Sequence, residues 1–340
     1  MRLFKDKMNY NDFEKGKTIF VGVDPAAQNI IYSVISNLLQ EGWTKEDFSF
    51  FTSETEGYVN DSTVSFVKRI SFSEQNIEEI FSQSNPSLIF LGTSLVNAEA
   101  VWVSKANAKG IKTISFVDHW VNFGKRFLVK DQYCFPTEIW VLNEEAKQQA
   151  IQEGLPAEKI KMVRNPYYRF IENYRPEISR TTFYERLGVE KNKTIVFISD
   201  PVRDNLPDIG FDEFSTVSVI LEKLSELQQE NDPVKYNFLI KLHPRCKREK
   251  YQEIIKCYQS ESIVIKEIGD VDAKMMNYFS DYVIGMFSNM IIEALLMKKK
   301  VLRVEINQKT ELFKFDEIKC KLVTESIQLK NELYNFLKYD

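Results

Sequence analysis

The sequence predicts an α/β protein built from two doubly wound parallel-sheet domains. Three observations lead there. Short, unbroken apolar runs rich in Val, Ile and Phe alternate with segments whose apolar residues fall at helical spacing. The alternation halts at a polar stretch around Glu172 to Ser179 and then restarts. The 340 residues suffice for two domains of ordinary size. Strands that are apolar throughout are buried on both faces, as in a parallel sheet covered by helices.

The elements follow in order. Thr18 to Val23 reads as a buried strand, and Asp24-Pro25-Ala26-Ala27 starts a helix with Ile30, Ile31, Val34, Ile35, Leu38 and Leu39 on one face. Leu88 to Leu91 is a second strand, followed by a helix from Val96 to Ala108 that Gly110 stops. Strands at Ile111 to Val117 and Ile139 to Leu142 precede a helix from Glu144 to Glu153. After the break, strands are expected at Thr194 to Ser199, Tyr236 to Leu242, Ser262 to Ile265, Tyr282 to Gly285 and Lys300 to Val304. The intervening helices are Glu213 to Gln229, Lys247 to Tyr258, Val271 to Phe279 and Met290 to Met297. The expected layout is an acceptor-side domain at 1–165, a linker at 166–180 and a donor domain at 181–325. A C-terminal helix at 326–340 is amphipathic and is expected to pack back on the first domain. Ligands of such sheets sit at the carboxyl ends of the strands, so the site is expected in a cleft between the two domains.

Bulk properties exclude several classes. Net charge is −4, which argues against a generally basic nucleic-acid-binding domain. No apolar run reaches membrane-spanning length, and the first seventeen residues lack the apolar core of a signal peptide. A cytoplasmic protein follows, with peripheral attachment at the inner membrane face as a further option. Cys134, Cys246, Cys257 and Cys320 are scattered without a CxxC pair, so neither a metal site nor a disulfide framework is expected.

The chain has two histidines, and both follow predicted strands. His243-Pro244 follows Tyr236 to Leu242, while Ser288-Asn289 follows the strand at Tyr282 and opens a helix carrying Glu293. A helix N-terminus presents unpaired N–H groups to an anion, and an imidazole adds a donor or a charge. The pair reads as a phosphate cradle, with Glu293 available for ribose hydroxyls. Ordinary capping explains Ser288 equally well, and the two roles are compatible. In the other half, Asp118-His119-Trp120 follows a strand. Asp118 is a candidate base oriented by His119, and Trp120 offers an aromatic face to a sugar. Asp24, Gln28 and Asn29 follow the first strand without the glycines of a dinucleotide fingerprint, so they read as acceptor-side. Ser199, Asp200 and Arg203 follow the first strand of the second half, with Asp200 an alternative catalytic carboxylate. Arg164 lies at the domain junction as a phosphate contact or a hinge ion pair.

The order strand, His243-Pro244, strand, Phe287-Ser288-Asn289 and then Glu293-Ala294-Leu295 resembles the C-terminal domain of GT-B glycosyltransferases. Lys241-Leu242-His243-Pro244 and Phe287-Ser288-Asn289 are similar to the His-Pro and Ser-Ser/Thr motifs of bacterial sialyltransferases and polysialyltransferases, with relatives among Kdo transferases and CDP-glycerol polymerases. Asn289 departs from the second Ser or Thr, and no acid-base Asp/Glu-Asp/Glu-Gly motif occurs in the first half. The resemblance implies a GT-B fold of two Rossmann-like domains, no metal and no resident cofactor. It implies a nucleotide-sugar substrate, with a CMP-linked nonulosonic acid or Kdo as the leading donor and a surface glycan as acceptor. Alternatives are a CDP-polyol phosphotransferase, a UDP-sugar transferase or UDP-GlcNAc 2-epimerase-like enzyme, and a non-catalytic nucleotide-sugar or glycan-binding protein.

Overall fold

The computed structural model describes residues 11–54, 67–231, 234–243, 246, 248–269, 271–313, 315 and 318–338. The chain divides into two compact units, Met1–Phe170 and Ile171–Asp340.

The first unit begins with β1 (Thr18–Val21), α1 (Pro25–Gln40), β2 (Phe48–Ser53), β3 (Val67–Ile70) and α2 (Glu74–Ser84). It continues through β4 (Leu88–Leu91), α3 (Ala98–Ala108), β5 (Lys112–Val117) and a hairpin of β6 (Leu128–Val129) and β7 (Gln132–Tyr133). It closes with β8 (Glu138–Val141), α4 (Glu144–Gln152) and β9 (Ile160–Met162). Seven of these strands form one parallel sheet in the order β3-β2-β1-β4-β5-β8-β9. Every residue of β1 and β4 is buried, as unbroken apolar runs require of central strands. Trp102 of α3 is fully buried, with its ring against Phe51, Phe72 and Phe81, and anchors that helix to the sheet.

A helix α5 (Pro166–Glu172) spans the boundary between the units, inside the segment expected to be a linker. The second unit follows with α6 (Arg180–Leu187), β10 (Lys193–Ser199), α7 (Val202–Asn205), α8 (Glu213–Asn231), β11 (Tyr236–Leu242) and α9 (Arg248–Tyr258). Then come β12 (Ile263–Ile268), α10 (Ala273–Phe279), β13 (Tyr282–Gly285), α11 (Asn289–Leu296), β14 (Lys300–Val304), β15 (Lys321–Val323) and α12 (Ser326–Lys338). Its six strands are parallel in the order β12-β11-β10-β13-β14-β15.

The first sheet holds more than the elements read from sequence, since β2 and β3 join it and α2 follows them. The C-terminal helix packs on the core of the second unit. Leu329 and Leu333 are fully buried in that unit's core, Lys330 pairs with Glu226 and Glu230 of α8, and the Tyr282 hydroxyl donates to the Leu337 carbonyl at 2.9 Å. The apolar stripe of α12 packs beside α8 and against β14 and β15.

In both sheets the order of connection reverses beside the first strand of the unit, between β1 and β4 and between β10 and β13. Helices leave to opposite faces there, opening a crevice at the carboxyl ends of the two strands. Two glycines allow close approach at these points. A Cβ on Gly92 would lie 2.2 Å from the Ala27 Cβ, so glycine lets α1 press onto the end of β4. A Cβ on Gly285 would lie 2.7 Å from Ile291 Cδ1, which fixes α11 against β13 in the same way.

Candidate functional site

In the second unit, Asp200 follows β10 and Ser288 caps α11 just beyond β13, so the reversal point brings them together. The Ser288 hydroxyl donates to the Asp200 carboxyl, while Ser288 Oγ accepts from the Met290 N–H at 3.4 Å. Burial lifts the Asp200 carboxyl to about 7, the Ser288 bond opposes that rise, and the neighbouring Glu213 adds to it. Asp200 keeps some solvent contact, yet its Oδ2 has no hydrogen-bond partner. The result is a carboxyl poised between its charged and neutral forms beside a helix N-terminus. That end can accept an anion, and a neutral Asp200 does not repel it.

The registers of β10 and β11 put His243 on the strand end next to Asp200, because Ser199 pairs with Leu242. His243 is partly buried, and its carbonyl accepts from the Cys246 N–H at 2.9 Å. Pro244 lies outside the described residues. Asn289 is the first residue of α11 and is partly exposed, while Glu293, on the same helix, is 8% exposed. The loop leading to Ser288 is held from behind. Arg303 is buried, its Nε donates to the Met286 carbonyl at 2.8 Å, and its guanidinium pairs with Glu305 and Glu311. Glu305 is fully buried, which raises its carboxyl to about 7 against the pull of Arg303.

Other residues nominated by the sequence are engaged elsewhere in this conformation. The Ser199 hydroxyl is buried and shared with the Tyr251 hydroxyl and, at 3.3 Å, with Cys246 Sγ. The Arg203 guanidinium pairs with Asp212 at 3.1 Å and lies over the Phe214 ring. In the first unit the Gln28 amide is buried and donates to the Val23 carbonyl at 2.9 Å, so it fastens the turn after β1. Trp120 is 7% exposed and its indole N–H donates to Asn143 Oδ1 at 3.0 Å, which makes it part of the wall rather than an open sugar platform. Arg164 lies over the Tyr168 ring at 5.8 Å. Asp24 and Asn29 stay partly exposed around the first turn of α1.

The first unit also gathers ionisable groups at its strand ends. Asp118 is buried at the end of β5, and His119 beside it is exposed. The protein surrounding His119 lowers its pKa, Asp118 opposes that shift and Arg126 reinforces it. Arg126, six residues beyond Trp120, carries no sequence signal of its own. It is 5% exposed, its Nη1 reaches Thr93 Oγ1 at 3.4 Å, and its Nε has no partner. Glu99 was missed. It is buried at the start of α3, accepts from the Val23 N–H at 3.0 Å and from the Ser94 hydroxyl at 2.5 Å, and burial lifts it to about 7. The only sequence signal for Glu99 is a lone carboxylate in the apolar run that opens α3.

No family model matches the chain. An uncharacterized protein of Methanocaldococcus jannaschii, MJ1060, is 28% identical over 253 residues, which is 73% of this chain and 40% of that protein. The chain thus spans well under half the length of this curated relative. Solved structures share the fold. The UDP-GlcNAc 2-epimerase of M. jannaschii superposes with a TM-score of 0.63 at 14% identity, covering 95% of this chain and 93% of that one. The Anabaena protein Alr3699/HepE in complex with UDP and glucose gives 0.63 at 14% identity, over 95% and 90% of the two chains. The Neisseria meningitidis UDP-GlcNAc 2-epimerase bound to UDP-GlcNAc gives 0.60 at 11% identity, over 95% and 92%. The fold is therefore GT-B-like, with two parallel-sheet α/β units. The cytidine donor and the sialyltransferase or Kdo-transferase likeness find no support in these neighbours, which are UDP-GlcNAc 2-epimerases and a UDP-bound protein.

Proposed function

We propose that the chain is a sugar-nucleotide enzyme acting on a UDP-linked sugar, with C2 epimerisation of the UDP-GlcNAc type as the leading reaction. The observation that carries the proposal is the Ser288-capped start of α11, set beside Asp200 at the reversal point of the second sheet. A diphosphate at that helix end meets oriented N–H groups, and a protonated Asp200 adds a donor in place of a repulsive charge. His243 contributes from the adjacent strand end. Neighbours of the same fold that hold UDP or UDP-GlcNAc support uridine over cytidine as the nucleotide.

Inverting a sugar carbon requires groups that take and return a proton. Such groups work best when their pKa lies near the working pH. In the first unit, His119 is the exposed imidazole, buried Asp118 lies beside it, and Arg126 provides a fixed positive charge next to them. Glu99 holds the β1 and β4 turns through Val23 and Ser94, which suits a positioning role. The test is incubation with UDP-GlcNAc and no acceptor in heavy water, followed by NMR. Formation of the 2-epimer with deuterium at C2 is expected. Turnover that needs an added sugar acceptor would instead assign a transferase, the reading favoured by the neighbour bound to UDP and glucose.

A further inference from the structure

A cavity of about 520 Å³ opens in the second unit at the amino ends of the strands, while the Ser288 site lies at their carboxyl ends. Its walls come from segments that precede strands, not from segments that follow them. Arg175 lies in the link between α5 and α6, Arg180 opens α6 before β10, Tyr278 ends α10 before β13, and Lys298 and Lys299 join α11 to β14. Four cations line the space, and Glu172 is the one carboxylate among its lining residues.

We propose that this cavity is a second ligand site, for a phosphate-bearing anion, separate from the nucleotide site. Two guanidinium groups are held in fixed planes. Arg175 lies over the Tyr278 ring at 6.0 Å and donates to the Tyr174 carbonyl at 2.6 Å. Arg180 lies over the Tyr184 ring at 5.3 Å and pairs with Asp281 at 2.7 Å, with 48% of its side chain still exposed. Arg180 gives Nε and Nη2 to the Tyr184 hydroxyl and Nη2 also to Asp281, and Arg175 gives Nη1 to a carbonyl, so each fixed guanidinium offers only part of its donor fork to a tetrahedral oxyanion. Lys299 turns inward, with its ammonium donating to the carbonyls of Tyr278 and, at 2.9 Å, of Ser280. Burial lowers the pKa of Lys299, with Asp281 opposing and Arg180 reinforcing the shift, so an added negative charge would stabilise its protonated form. Lys298 stands exposed at the rim with a left-handed backbone, φ +59°, which turns the chain sharply before β14. The volume also admits a phosphate ester of a sugar or a lipid headgroup.

The probe is inorganic pyrophosphate, titrated calorimetrically into the full chain at moderate salt. Binding is expected, and the exposed double variant Arg175→Ser, Lys298→Ser should weaken it by about tenfold or more, since each lost cation removes a charge-assisted hydrogen bond. Lys298→Glu alone should weaken it in the same direction. Pyrophosphate can also meet the helix end at Ser288, so the titration is repeated with UDP saturating that end, and UDP titrated into the Arg175→Ser, Lys298→Ser variant should bind as it does to the wild type. Absence of pyrophosphate binding, or binding insensitive to Arg175 and Lys298, would overturn the proposal. Co-flotation with phosphatidylglycerol vesicles that pyrophosphate abolishes would identify a lipid headgroup as the source of the anion. Pyrophosphate binding without co-flotation would identify a soluble phosphate ester.

Discussion

Replacing Asp200 with Asn removes a titrating group while keeping its shape. In the fold this carboxyl titrates near 7, against an ordinary value of 3.8. Because the folded value is raised, the native state gains relative stability at low pH. That gain is complete below about 3.8 and is lost as pH rises through 7. Each pH unit of difference corresponds to ~1.36 kcal/mol, so ionising Asp200 costs the fold at most about 4 kcal/mol, less what its partial solvent contact recovers. Between about pH 5 and pH 8 the wild type should therefore lose up to ~3 kcal/mol relative to Asp200→Asn. Urea unfolding of both proteins across that range measures the difference. The same group acts on ligand binding. A diphosphate at α11 disfavours the ionised carboxylate, so wild-type affinity for UDP should fall by up to about tenfold from pH 6 to pH 8 beyond any change seen in Asp200→Asn. Parallel stability curves, together with equal pH slopes for UDP binding, would refute the placement of a titrating Asp200 beside the phosphate.

Further predictions concern what supports the site. Gly92→Val should lower stability by about 1–3 kcal/mol, since its Cβ would meet Ala27 at 2.2 Å, and thermal melting checks this. Arg303→Met leaves Glu305 buried without its cation and frees the Met286 carbonyl, so a loss of about 3–5 kcal/mol is expected in denaturant melts. Ser288→Ala should cost about 1 kcal/mol through loss of the helix cap and should also weaken UDP binding, read by calorimetry.

Much of the architecture was legible because buried parallel strands write themselves as unbroken apolar runs. β1, β4, β10, β11 and β13 all carry that signature and all are present. β3 lacks it, because Val67–Ile70 is only partly buried and carries Lys68 and Arg69 outward. β2 mixes Phe with Ser and Thr, a composition that a buried strand and a loop share. The stripe of α12 was readable, but a stripe says only that a helix packs, not on what. The strand ends that hold His243, Ser288 and Asp200 were found by counting from the strands. Glu99 and Arg126 were not, because a buried charged residue looks in sequence like any surface one. Only the fold brings Val23 and Ser94 to Glu99, and Thr93 to Arg126. The choice of nucleotide base depends on contacts that neither strand nor cap pattern encodes, and for that reason the motifs alone suggested cytidine.

The central claim is that the second sheet's reversal point binds a uridine diphosphate. Thermal shift of the full chain with UDP, CMP, CDP and GDP in parallel tests it most directly. A ligand at a hundred times its dissociation constant adds about 2.7 kcal/mol to stability. The account predicts stabilisation by UDP above the other three, diminished in Ser288→Ala. A preference for CMP or CDP, or a UDP shift unchanged by Ser288→Ala, would contradict it.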